Sequence, residues 1–201
     1  MTVISADKKL LKEIKETLKN GKELIDFNKI IPMPKELIGT TSPSRIVSEE
    51  EYKKAKAKYD AIMAKDEKDK TPEESWCTSL PITKKMSEEY LKKFGSDNWY
   101  DWAIHNWGTK WGAYDINNWD GDTISFFTAW SVPEPFYEAL SEKFPKAEFE
   151  VKFADEGGGW CGIYLWREGI KHELEYQEDY KSPDFKSLYA DITGISEEDL
   201  A

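Results

Sequence analysis

Arginine is nearly absent: Arg45 and Arg167 are the only two in 201 residues. Formal net charge is −11. Nucleic-acid affinity rests on neutralising phosphates with Lys and Arg, and bidentate phosphate contacts need arginine. Direct nucleic-acid binding is therefore not expected. The acidity reads either as ordinary solubility or, more sharply, as charge mimicry of a nucleic acid. Cysteine and histidine are equally scarce. Cys77 and Cys161 form no disulfide framework, and with His105 and His172 they lack the paired spacing of a zinc site. No cofactor or metal is expected. No apolar run approaches the ~20 residues that span a bilayer, and no leader segment is visible at the start. The expected setting is the cytoplasm, with free thiols and no membrane partner.

What is abundant is aromatic. Tyr, Phe and Trp make up 14% of the chain, and six of its nine tryptophans fall between Asp97 and Pro135. So dense a cluster of large side chains means a core, a cleft wall, or both.

Along the chain, Thr2 to Ser5 reads as a short strand. Leu10, Leu11, Ile14 and Leu18 carry helical spacing within Ala6–Asn20, stopped by Asn20-Gly21. Leu24–Ile31 reads as a second strand closed by Pro32-Met33-Pro34, so the opening predicts the first half of a split βαβ unit. Ser48 and Glu51 form a capping box for a helix to about Lys65, with Tyr52, Ala55, Tyr59 and Ile62 on one face. The charge run from Ala64 to Glu74 reads as an exposed linker. Residues 40–85 are expected to be an insertion in a core built from 1–39 and 86–177, with 178–201 a tail that packs weakly. Ser87–Phe94 predicts a helix stopped by Gly95. Asp97 is the expected cap of another that carries Trp99, Trp102, Ala103 and Trp107. Trp111–Ile116 and Thr123–Trp130 read as strands joined through Asp120-Gly121. A helix from Pro133 to Phe144 follows, then strands at Glu148–Ala154, with Phe149, Val151 and Phe153 alternating inward, at Trp160–Trp166 and at Ile170–Tyr176, with a short helix near Phe185–Ile192. The fold class is α+β: an antiparallel-rich, ferredoxin-like sheet with helices on one face and a helical insertion.

Each candidate for chemistry has a plainer structural reading. The oxygen-rich segment Asp115–Asp122 fails the EF-hand register, since Trp119 stands where a ligand is needed and Asp120 where glycine is needed. A turn is the better reading. Glu156-Gly157-Gly158-Gly159 lacks the following Gly-Lys-Ser/Thr of a phosphate loop and leads into a strand. Asp120 with Asp122, and Asp155 with Glu156, sit at loops without visible means of raising a pKa. His172 reads as surface and Cys161 as a buried, inert thiol. His105, one turn after Asp101, is either a hydrogen-bonded structural residue or a general base. Gly108-Thr109-Lys110-Trp111-Gly112 is a tight connection, or a small anionic site in which Lys110 and backbone N–H groups meet a phosphate or carboxylate while Trp107 or Trp111 stacks a ring. The candidate ligand-binding set is Trp107, Thr109, Lys110, Trp111, His105 and Trp130.

These residues also carry a likeness. Phe27-Asn28-Lys29-Ile30-Ile31-Pro32-Met33-Pro34, Asn106-Trp107-Gly108-Thr109-Lys110-Trp111, Phe127-Thr128-Ala129-Trp130-Ser131-Val132-Pro133-Glu134-Pro135, Phe144-Pro145 and, more weakly, Gly162 follow in the order of the YubB ferredoxin-like family. That family comprises small proteins of phages and conjugative plasmids and includes the Api-type phage proteins. Ser131-Val132-Pro133 departs from the family's Pro-Pro form. The resemblance implies a ferredoxin-like sheet without an iron–sulfur cluster and a gene on a mobile element; it brings no activity and no catalytic residue.

Sequence and resemblance together lead to a non-catalytic binding protein that counters a host defence system. Its expected partner is a small nucleotide-type signal or a host protein. The alternatives are a metal-dependent phosphodiesterase or nuclease using His105 and hairpin aspartates, and a structural or regulatory phage component acting as a homo-oligomer through its aromatic patch.

Overall fold

The computed structural model describes residues 1–4, 6–72, 74 and 79–196, with the side chain of Glu67 left aside. Ser5, Trp76 and Cys77 lie outside the described residues. The chain divides into two compact units, Met1–Ile31 with Trp107–Ala201, and Pro32–Asn106.

In the first unit, β1 (Thr2–Ile4), β4 (Glu148–Ala154), β5 (Cys161–Arg167) and β6 (Ile170–Gln177) form one antiparallel sheet in the order β1-β4-β5-β6. Pairing places Val3 opposite Phe149, Phe149 opposite Trp166, and Val151 opposite Tyr164. Paired residues point to the same side, so these apolar side chains form one continuous face. The helix α5 (Glu134–Lys143) covers it with buried Phe136, Tyr137 and Leu140, and Tyr137 lies 4.8 Å from Trp166. Phe27 stacks on Phe136 at 4.0 Å and meets Trp107 edge-on at 6.0 Å. This aromatic centre, with buried Ile14 and Leu18 of α1 (Lys8–Leu18), is the core.

The expected second strand at Leu24–Ile31 is a correction. Asp26 accepts from the Asn28 N–H at 2.9 Å, and Phe27–Lys29 close a 3-10 turn, with the Ile31 N–H reaching the Phe27 carbonyl at 2.9 Å. A short acidic side chain that captures a nearby N–H turns the backbone where the apolar pattern reads as extended. The hairpin is corrected too: Trp111–Ile116 and Thr123–Trp130 form no regular ladder and meet at one isolated bridge, Tyr114 with Phe127. Asp115 has φ of 46°, which breaks the alternation. The outgoing arm instead bonds to β1, the Val3 N–H reaching the Asp122 carbonyl at 3.0 Å. The turn at Asp120-Gly121 itself is as read, closed by reciprocal bonds between Asp120 and Thr123.

The tail was expected to pack weakly and does not. The helix at Pro183–Thr193, which becomes α6, buries Phe185, Leu188 and Tyr189 against Cys161, with Ala154 and Ile163 alongside. Cys161 and Ile163 alternate along β5 with Tyr164 and Trp166. This helix therefore adds a cover on the face opposite α5.

In the second unit, β2 (Ile46–Val47) pairs parallel with β3 (Ile82–Thr83). The helix α2 (Glu49–Met63) starts on the expected Ser48–Glu51 capping box. Thr83 caps α3 (Lys84–Phe94), which ends at Gly95. For α4 (Trp99–Trp107) the capping side chain is Asn98, which accepts from the Asp101 N–H at 2.9 Å, and not Asp97. Asp97 is engaged elsewhere, taking the hydroxyls of Ser44 and Ser87. The Trp99 N–H donates to Thr40 Oγ1 at 2.9 Å, and Asn98 Nδ2 to Ser44 Oγ at 3.1 Å. These bonds tie α4 to residues 40–44, so the compact unit runs to Asn106, wider than the insertion expected over 40–85. Among the described residues no helix is long and apolar enough to cross a membrane.

Candidate functional site

The two most distinctive sequence blocks bond to each other. Thr109, fully buried, donates its hydroxyl to the Ala129 carbonyl at 3.0 Å. Ser131 Oγ donates to the Gly108 carbonyl, and Thr128 Oγ1 donates to the Ser131 carbonyl at 2.7 Å. The Trp107 indole N–H donates to the Ile31 carbonyl at 2.8 Å, anchoring the first block to the core. Gly108 takes φ of 79°, and a Cβ there would stand 2.7 Å from Pro135 Cδ and 3.2 Å from the Glu134 nitrogen. Only glycine permits both the conformation and the approach.

Held between these bonds is Trp130, the most exposed large hydrophobic residue among those described, at 75%, with φ of 67°. A non-glycine residue in the left-handed region is strained, and for a bulky one the surroundings must enforce it. The strain turns an indole into solvent, which burial of apolar surface cannot explain.

Lys110 lies beside it. Its ammonium sits 4.3 Å from the Trp111 ring centre and 4.6 Å from that of Trp130. Trp111, at 44% exposed, meets Tyr114 edge-on at 6.5 Å, and Tyr114 stacks on Phe127 at 5.8 Å. An exposed aromatic surface thus runs along the irregular hairpin to Trp130.

On its other side Trp130 borders a cleft of about 570 Å³ lined also by Gly108, Ser131, Val132, Glu134, Pro135, Glu138, Phe153, Trp160, Tyr164 and Tyr176. Phe153 lies 4.5 Å from Tyr164 and 5.5 Å from Trp160, and Tyr164 stacks on Tyr176 at 6.5 Å. Gly162 makes room: a Cβ there would meet Phe153 Cζ at 2.6 Å and the Glu175 carbonyl at 2.7 Å. Lys171 reaches in over Tyr164 at 4.6 Å while pairing with Glu134 at 2.8 Å. Burial, then the Glu173 and Glu134 carboxylates, push the Tyr164 phenol up to about 12. The cleft is aromatic-walled and electronegative, within the size range of small-molecule and side-chain pockets.

Of the six candidate residues, Lys110, Trp111 and Trp130 come together at the surface. Trp107 and Thr109 are buried and position them. His105, exposed on α4, belongs to the second unit. Cys161 is buried, as read, and burial pushes its thiol up to about 11, with Glu175 adding to the effect. At the glycine turn, Asp155 takes the Gly159 N–H at 3.0 Å, so the carboxylate fills the place of a bound anion. The residues that sequence reasoning missed are Glu134, Glu138, Phe153, Trp160, Tyr164 and Tyr176. Alternation in β4 marked Phe153 as inward-facing, but nothing local brings it to Trp130.

The described residues form an α+β fold around a four-stranded antiparallel sheet with this aromatic centre. Residues 106–189, under half of the chain, match the model of the family described as the ferredoxin-like domain in Api92-like protein. No curated protein and no solved structure matches the chain.

Proposed function

We propose that this protein is a non-catalytic binding protein of a phage or conjugative plasmid, acting in the host cytoplasm by capturing a component of a host defence system. The resemblance of its sequence blocks to mobile-element proteins supports the setting. One observation carries the binding reading: Trp130 is held outward in a strained conformation by hydrogen bonds from Thr109, Thr128 and Ser131. Strain of this kind persists where the surroundings over-determine it, and it clusters at binding sites. Exposed tryptophan is also the residue type that most often dominates interfaces. With a net charge of −11, the favoured target is a host protein with a basic surface.

Lys110 favours a second reading, a small nucleotide signal. A cation between two indoles offers a phosphate contact beside two faces on which a base can stack. Thermal shift against linear and cyclic nucleotides separates the two: a rise of several degrees that disappears in Lys110→Ala selects the nucleotide.

The main reading is tested in bacteria carrying individual defence systems and challenged with phage. Co-expressed protein should restore plating on at least one strain, in proportion to its amount, and Trp130→Ala should abolish the effect at unchanged protein level. Full activity of Trp130→Ala would sink it.

A further inference from the structure

We propose that the cleft beside Trp130 receives an arginine side chain from a basic segment of the partner; this rests on the reading of Trp130 as a binding residue and names what it helps to bind. Two resident lysines show how cations are held here. Lys171 lies over the Tyr164 face and pairs with Glu134, and Lys110 lies over the Trp130 face. Ring faces attract cations through their quadrupole, most strongly where water is excluded. The cleft is lined also by Trp160, Tyr176 and Glu138, whose carboxylate makes no hydrogen bond or ion pair among the described residues. Glu134 and Glu138 are four apart on α5 and so share one helix face. An incoming guanidinium can stack on an indole while its planar fork meets Glu138, a combination that an ammonium cannot reproduce. Phosphates entering the cleft would face two carboxylates instead.

The test uses the full chain and a fluorescein-labelled hexa-arginine peptide followed by anisotropy at 150 mM salt. The peptide should bind, hexa-lysine more weakly and hexa-glutamate not at all. Glu138→Gln and Trp130→Ala should each weaken it about 3- to 10-fold, the range expected for one carboxylate or one cation–π face. Glu49→Gln, an equal change of charge on exposed α2, should leave binding within about 1.5-fold. Equal weakening by Glu49→Gln and Glu138→Gln would mean diffuse charge attraction and overturn the proposal, as would absence of peptide binding, or displacement of the peptide by AMP. If peptide binding fails in Glu138→Gln while Trp130→Ala still restores plating, the cleft stands and the functional reading falls. If Trp130→Ala abolishes plating but Glu138→Gln binds the peptide normally, the reverse holds.

Discussion

Replacing Trp130 by asparagine separates a presented binding residue from a structural one. The left-handed backbone at φ of 67° costs an ordinary L-residue about 1–2 kcal/mol. Asparagine tolerates that region far better, so most of this cost is recovered. Against it stands the loss of the contact with Lys110, about 0.5–1 kcal/mol at an exposed site. Little apolar burial is forfeited, because three quarters of the residue is already in water. The balance runs from zero to about 1 kcal/mol of added stability. For a chain of this size that is a Tm between unchanged and about 4 °C higher. A core tryptophan behaves oppositely: its truncation costs about 3–5 kcal/mol, and Tm falls by about 6–20 °C. Calorimetric melting at pH 7 reads the difference directly. A Tm lower by 6 °C or more in Trp130→Asn would refute the reasoning, because the indole would then be packing the fold. The expected signature is a variant that melts as well as the parent or better and no longer binds.

Gly108→Ala should act in the other direction. The left-handed cost of about 1–2 kcal/mol adds to an overlap with Pro135 and the Glu134 backbone worth about 1–3 kcal/mol, and chemical denaturation should show a loss of about 2–5 kcal/mol. Leu188→Ala in α6 should cost about 2–5 kcal/mol and speed labelling of Cys161, located by peptide mass mapping. Native Cys161, its thiol pushed up to about 11 by burial, should resist alkylation at pH 8. Burial alone would raise Asp97, but Ser44, Ser87 and Asn98 donate to it and hold its carboxyl below the usual range. A carboxyl lowered by folding contributes stability above its unfolded value, near 4, and that contribution is lost as pH falls through the folded value. Asp97→Asn should therefore lower Tm at pH 7 and flatten its decline between pH 4 and pH 2; an unchanged acid limb would contradict this.

Sequence alone determined the elements whose signals are local. The Ser48–Glu51 capping box, the Gly95 stop, the α5 helix after Pro133 and the alternation of Phe149, Val151 and Phe153 all rest on contacts within a few residues, and each forms as read. The α+β class follows from them, while the ferredoxin-like description rests on the family match over residues 106–189. Local signals misled where a side chain competed with the pattern: Asp26 turned an apolar run into a 3-10 turn, and Asp115 and β1 drew the hairpin arms away from a regular ladder. The tail looked polar because its few buried residues, Phe185, Leu188 and Tyr189, find their partner at Cys161, far earlier in the chain. The proposed binding surface divides in the same way. Lys110, Trp111 and Trp130 were legible as a rare cluster of indoles and one cation. That Trp107 and Thr109 serve as supports, and that Glu138, Trp160 and Tyr176 line the cleft at Trp130, was decided by tertiary structure. Sheet register and the helix laid across it bring such residues together, and no spacing along the chain encodes either.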